Sequence, residues 1–369
     1  MSIGVTLFRL AVLSGIALTS LSAQSPAQIP APSVAQSPPQ IPAQTPAQTP
    51  AQSLDSRSCW LRDAASPGGS VVYALCEQGA LFATADAGAT WTKRFTGAAN
   101  RLRAMAFLDA KRGFVIGDRA TVLSTGDGGQ KWEVRKVDTK EHLMDISFVG
   151  ESGWIVGYQG IILHTRDGGR TWEKQNAKTT QTLETVFFLD PDHGWVVGWS
   201  GTILRTVDGG QNWQTVRCDA AQWSLTAVYF KDPLNGWMVG FAGQIFRSKD
   251  GGVTWQAQAS PVKSWLTNIA FDASNRGWMT YDDGFLLSED GGETWKAVPA
   301  AGRYFLSKLQ RVNNSLWAFG QTTVLRQADG LKWEKIQSLV TDTTTTTNNT
   351  TSPATTSRPG GATNPTPKS

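Results

Sequence analysis

Apolar side chains between residues 54 and 339 come in short runs split by Gly, Asp and Asn. In one stretch the runs cover 143–149, 154–158, 161–165 and 171–175, rich in β-branched, aromatic and aliphatic residues. Runs of this length bounded by turn residues read as strands. None has the length or the period of a helix. The four-run block then recurs, marked by a turn that ends in Trp. The turn reads TGDGGQKW to Trp132, TRDGGRTW to Trp172, TVDGGQNW to Trp213, SKDGGVTW to Trp255 and SEDGGETW to Trp295. Variants end at Trp91 (TADAGATW) and at Trp333 (QADGLKW, one residue short). The steps between these Trp residues are 41, 40, 41, 42, 40 and 38. Self-similarity at such a period marks a repeat architecture. Four strands per unit, seven times over, predict an all-β fold: a seven-bladed β-propeller of four-stranded antiparallel blades.

A second signature precedes five of the turns. It reads Phe148 to Gly153-Trp154, Phe188 to Gly194-Trp195, Phe230 to Gly236-Trp237 and Phe271 to Gly277-Trp278, with Phe107 to Gly113-Phe114 in the same set. The turn between the third and fourth strands has a structural chemistry. Its Gly residues supply backbone angles closed to other residues. Its carboxylates (Asp86, Asp127, Asp167, Asp208, Asp250, Asp290 and Asp329) can accept bonds from nearby backbone N–H groups. Its Trp residues (91, 132, 172, 213, 255, 295 and 333) are expected to bury their rings between neighbouring units. Of the 16 Trp, seven end turns and five (154, 195, 237, 278 and 317) start second strands, and these twelve are assigned to the core. Trp60, Trp199, Trp223 and Trp265 remain.

Composition changes at both ends. Residues 1–23 carry Arg9, an apolar run from Leu10 to Leu18 and the small residues Ser20 to Ala23, the zones of a signal peptide. Residues 24–53 repeat Pro-Ala-Gln, an extended solvated linker. Residues 340–369 are Thr-, Asn- and Pro-rich and are expected to be disordered. The propeller is assigned to 54–339, exported to a periplasm, a thylakoid lumen or the outside of the cell. The formal net charge of +4 is no electrostatic footprint for nucleic acid. With three Cys and three His at no ligand spacing, neither a metal site nor a cofactor is expected.

The turn S/T-x-D-x-G-x-T/K/N-W is the Asp-box or BNR repeat. Combined with F-x5-G-W-x-V-G-x-x-G-x-I-L-x-T, over residues 54–339, it resembles the photosystem II assembly and stability factor family. The resemblance implies a seven-bladed propeller in a lumen or periplasm, without catalysis of its own. It implies an assembly scaffold that binds a membrane-protein precursor, the unprocessed D1 subunit. A relative outside photosynthesis, an envelope or secreted interaction propeller, is the alternative in the same class.

In a propeller the loops joining strands two and three share a face with the connections between blades. The residue opening the two-to-three turn runs Glu77, Asp118, Tyr158, Trp199, Phe241, Asp282 and Gln321. Trp223, Trp265, Tyr304 and Phe305 lead into first strands. Tyr158, Trp199, Trp223, Phe241, Trp265 and Tyr304 are therefore expected to form a docking patch for a polypeptide or a glycan. Axis-lining candidates are Arg103, Asp145, Glu184, Thr226, Asn268 and Lys308, of which Arg103 and Glu184 join the binding set. Cys59 and Cys76 flank Pro67-Gly68-Gly69, so a hairpin there brings them together for a disulfide in an oxidising compartment. A secreted glycoside hydrolase is the rival class, but no carboxylate pair is set by spacing and no Ser-His-Asp signature is present. A closed ring protects its edges, and a monomer is expected.

Overall fold

The computed structural model describes residues 59–336 apart from 283, 300, 301, 303, 322 and 329. The expected signal peptide, the Pro-Ala-Gln linker, the C-terminal tail and Asp329 lie outside the described residues. Seven four-stranded antiparallel sheets follow one another along the chain, each in sequential order. The fold is a seven-bladed β-propeller. Blade 1 comprises Leu61–Gly68, Val71–Cys76, Ala80–Thr84 and Thr92–Phe95. The first strands of blades 2 to 7 are Leu102–Phe107, Leu143–Val149, Leu183–Phe188, Leu225–Phe230, Leu266–Phe271 and Leu306–Val312. In blade 3 the fourth strand is Glu173–Asn176 and not 171–175. Thr171 belongs to the turn, where its N–H and hydroxyl both bond to Asp167.

The core is a set of slabs between blades. Each of the seven apolar clusters joins two neighbouring blades, and the first joins blade 7 to blade 1 through Val312, Trp317 and Phe319 against Leu61, Val72 and Phe82. The recurrent aromatics explain this arrangement. The second-strand Trp of one blade stacks on the first-strand Phe of the next: Trp154 on Phe188 at 3.4 Å and Trp195 on Phe230 at 3.5 Å between centroids. That Phe then meets its own blade's turn Trp edge to face, Phe188 with Trp213 at 5.9 Å and Phe230 with Trp255 at 5.7 Å. The indole N–H groups of Trp154, Trp195 and Trp237 donate to Gly209, Gly251 and Gly292 carbonyls in the next blade's turn, each at 3.0 Å. The two sequence signatures are two halves of one inter-blade contact.

Not every turn Trp is fully enclosed. Trp91, Trp213, Trp255 and Trp295 are buried, whereas Trp132, Trp172 and Trp333 are half-buried. Gln175 and Gln258 accept from the Trp213 and Trp295 indoles at 3.0 and 3.1 Å and cover their edges. The worn end is compensated differently. Where a turn Ser or Thr stands in other blades, Gln327 reaches Asp272 at 3.1 Å and the Gly330 carbonyl at 2.8 Å.

The Asp-box turns are closed by their own side chains. In blade 3, Thr165 Oγ1 and Thr171 N donate to Asp167 Oδ1 at 2.7 and 2.9 Å, and Thr171 Oγ1 donates to Oδ2 at 2.7 Å. The Thr171 hydroxyl and amide, with Thr165, hold the Asp167 pKa down to about 2. The same bonds recur at Asp86, Asp208, Asp250 and Asp290. At Asp127 the Thr125 hydroxyl and the Gln130 and Lys131 amides bond the carboxylate.

Among the described residues closure uses no borrowed strand, since blades 1 and 7 each hold four of their own. Ser307 Oγ donates to the Leu61 carbonyl at 2.9 Å, and Lys308 Nζ meets Asp63 Oδ1 at 2.8 Å.

Candidate functional site

Backbone bonds separate the two faces of the ring. Turn glycines 128, 168, 209 and 251 donate to carbonyls of the loops between first and second strands, at Lys111, Glu151, Asp192 and Leu234. The residues opening the two-to-three turns donate instead to the connections between blades: Glu77 to Trp60, Asp118 to Arg101, Tyr158 to His142, Trp199 to Thr182 and Phe241 to Ser224. The Asp-boxes therefore occupy one face, and the openers share the other with the connections.

Local sequence fixes the openers in blades 3 to 5. Each starts a 3-10 turn, Tyr158–Gly160, Trp199–Gly201 or Phe241–Gly243, with its middle residue left-handed. A Cβ on Gly160, Gly201 or Gly243 would overlap the carbonyl of Thr179, Ala221 or Val262, and all three glycines have positive φ. Close approach of turn to connection therefore demands glycine, and it holds the aromatic opener beside the inter-blade loop.

The openers and connections place a broken arc of rings on this face. Tyr158 lies 6.1 Å from Trp199, and Phe241 stacks on Trp265 at 4.7 Å. Trp223, in the connection between blades 4 and 5, is 59% exposed. Tyr304 departs from the expected patch: it packs against the core between blades 6 and 7. Its neighbour Phe305, at φ 44°, is the exposed ring. Trp60 has no place in the repeat pattern. It precedes Leu61 as Trp265 precedes Leu266 and Phe305 precedes Leu306, and it too is exposed.

Inside the arc a cavity of about 350 Å³ opens into the channel, lined from all seven blades. The leading Leu of every first strand is buried, and a β-bulge follows it in every blade. A bulge re-aims side chains, so in six of the seven blades two successive positions reach this cavity, among them Arg62 with Asp63, Met144 with Asp145, and Glu184 with Thr185, while blade 5 contributes Thr226 alone. Thr226, Asn268 and Lys308 line it too. Hydroxyls tie neighbouring first strands: Thr185 to the Thr226 carbonyl at 2.7 Å, Thr226 to Leu266 at 2.5 Å and Thr267 to Leu306 at 2.8 Å.

The charges are unevenly partnered. Asp63 is buried, bonded to the Met105 amide at 2.8 Å and paired with Lys308. Burial works against the Lys308 charge, but Asp63 and Asp145 outweigh it and raise its pKa. Arg103 is committed to Asp118 at 2.5 Å, with its guanidinium 6.0 Å from the Tyr158 ring. Asp145 accepts the Val186 amide at 2.9 Å, and burial pushes its pKa up to about 6. Glu184 accepts the Trp199 indole N–H at 3.2 Å, and burial raises its pKa as well. Away from the mouth, Arg205 donates to the Gly251 carbonyl at 2.8 Å and Arg247 pairs with Glu293, so these two third-strand arginines tie neighbouring blades.

Cys59 and Cys76 form a disulfide with Cα atoms 5.4 Å apart, and Cys218 is free. Among the described residues no group of His, Cys, Asp and Glu could hold a metal ion, and no helix is long and apolar enough to cross a membrane.

A family model for the photosynthesis system II assembly factor YCF48 matches residues 96–180 and 170–257. The solved structure of YCF48 bound to D1 peptide is similar at 27% identity, covering 63% of this chain and 80% of that one, with a TM-score of 0.54. YCF48 from Cyanidioschyzon merolae is similar at 23% identity, covering 63% of this chain and 84% of that one, with a TM-score of 0.53. An ancestral GH74 enzyme shares the fold at 14% identity and a TM-score of 0.60, covering 76% of this chain and 46% of its own. No curated protein matches the sequence.

Proposed function

We propose that this chain, a YCF48-like seven-bladed propeller, is an exported, non-catalytic scaffold that captures a polypeptide on the face opposite its Asp-boxes. The observation that carries this reading is the set of exposed rings (Trp60, Trp199, Trp223, Phe241, Trp265 and Phe305) gathered on one face around the channel. Large rings left half-wet are the usual anchors of protein interfaces. YCF48 itself has been solved with a D1 peptide. A D1-like precursor is accordingly the first partner to test, with an envelope protein unrelated to photosynthesis as the alternative within the same chemistry. The outer edge of each blade is a short fourth strand, which gives little template for strand pairing between copies and favours a monomer as the working form.

The test offers the full chain an immobilised random peptide library and, separately, a labelled D1 peptide. Trp199→Ala with Trp223→Ala is expected to lower peptide capture by about tenfold or more, or about 1.4 kcal/mol, with an unchanged melting temperature. Unchanged capture overturns the reading. Binding of library peptides without the D1 peptide favours the partner outside photosynthesis. Glu184 and Asp282 both line the cavity, which keeps a glycan-cleaving reading open to trial. Turnover of a glycan substrate, lost with Glu184→Gln or Asp282→Asn, would replace the scaffold.

A further inference from the structure

The cavity inside the arc has its own chemistry. Its outer wall is aromatic, with Trp60, Trp265 and Phe305 all in the lining. Its lining carries four carboxylates, Asp63, Asp145, Glu184 and Asp282, against three cations, Arg62, Arg103 and Lys308, two of which are bonded to carboxylates other than Asp145 and Glu184. Lys308 is bonded to Asp63, and Arg103 is bonded to Asp118. Asp145 keeps backbone amides as its bonding partners, with Lys308 acting on it only through space. Glu184 has the Trp199 indole, with Arg62 and Arg103 acting through space. Burial strains both carboxylates towards their neutral forms. A carboxylate removed from water in this way gains from any cation brought to it.

Three occupants can be weighed. An anionic group would have to face Asp145 and Glu184. A neutral sugar would stack on the rings and leave both carboxylates as they are. A lysine or arginine side chain satisfies both halves: its aliphatic stem packs on rings, its head is attracted by their faces, and its charge meets the carboxylates. A volume of about 350 Å³ accommodates such a side chain together with part of its flanking backbone.

We infer that the channel mouth is a socket for one basic side chain of the docked polypeptide, with Trp60, Trp265 and Phe305 around its stem and Asp145 and Glu184 at its head. This rests on the docking reading above and assigns that face its selectivity. The rings outside the socket, Tyr158, Trp199 and Trp223, supply contact area without a charge preference.

The full chain is offered the random peptide library at neutral pH, and the retained peptides are sequenced. The expected result is enrichment of Lys and Arg at a single position by about tenfold, or about 1.4 kcal/mol. Asp145→Asn with Glu184→Gln should bring that enrichment close to background while peptides are still retained through the outer rings. Glu184→Gln alone, whose side chain makes no backbone bond among those described, should lower it part of the way and covers the case in which the double variant does not fold. Retention of peptides without a basic preference, or with an acidic one, overturns the socket and leaves the docking face standing. Displacement of retained peptides by a neutral oligosaccharide overturns it in favour of a sugar site. Retention of no peptide by the unaltered chain overturns both.

Discussion

Asp167→Ala separates fastening from function. The carboxylate accepts from Thr165 Oγ1, Thr171 N and Thr171 Oγ1 at 2.7, 2.9 and 2.7 Å, so alanine removes three bonds from one turn. A net hydrogen bond is worth about 0.5–1.5 kcal/mol. This turn faces solvent on one side, which places the sum near 2 kcal/mol. For a domain of this size, with an unfolding entropy near 2.1 cal/mol/K per residue, that lowers the melting temperature by about 3–4 °C. The depressed pKa gives the sign of the pH dependence. The stabilisation is fully present above the unfolded carboxyl value near 4 and is lost as pH falls through about 2. The gap between wild type and variant should therefore close in strong acid. Asp167→Asn retains one acceptor oxygen and should lose about half as much. Thermal unfolding followed by Trp fluorescence at neutral and at acid pH measures all of this, and peptide capture is measured beside it. Capture should change by less than about twofold, since the box lies on the far face. A variant that melts like wild type and no longer captures peptide would refute the assignment of the boxes to the frame.

Two further outcomes follow from the same structure. The Cys59–Cys76 disulfide closes a loop of sequence separation 17, so Cys59→Ser should cost about 3 kcal/mol in chemical denaturation. Thiol titration of unfolded, unreduced protein should find Cys218 alone, and three reactive thiols would contradict the bridge. The raised Asp145 pKa means that its protonated form favours folding, an advantage lost as pH rises through about 6. Asp145→Asn, which cannot ionise, should gain stability relative to wild type between pH 4 and 8, against the influence of nearby Asp63, Glu184 and Lys308. A stability difference that is flat across this range would contradict the burial argument.

The frame was legible because every blade meets the same packing problem and answers it with the same residues. Gly153 beside Phe148, then Trp154 on Phe188, is a contact written out in the repeat itself. Most of the strand bounds and the blade count follow from it. The turn-opening aromatics were legible for the same reason, because alignment on the Trp exposes the positions that vary. Asp63 and Trp60 escaped because blade 1 has no first-strand Phe and a variant box, so its alignment to Leu143 and Leu266 carries little weight beside stronger copies. The β-bulge after the leading Leu also brings two consecutive residues to the channel in all blades but the fifth, which simple alternation along a strand does not anticipate. Tyr304 and Phe305 were indistinguishable as a pair. A left-handed backbone at Phe305 decides which ring faces out, and no residue type announces it. Pairing of Lys308 with Asp63 spans the ring closure, a contact with no counterpart in local sequence.

Hydrogen exchange of the full chain, with and without a captured peptide, tests the central claim most directly. Protection should appear at the turns Tyr158–Gly160, Trp199–Gly201 and Phe241–Gly243 and in the connections around Trp223 and Trp265. The box turns at Asp167, Asp208 and Asp250 should exchange as they do in the free chain. Protection confined to the box turns, with the aromatic face unchanged, would contradict the account.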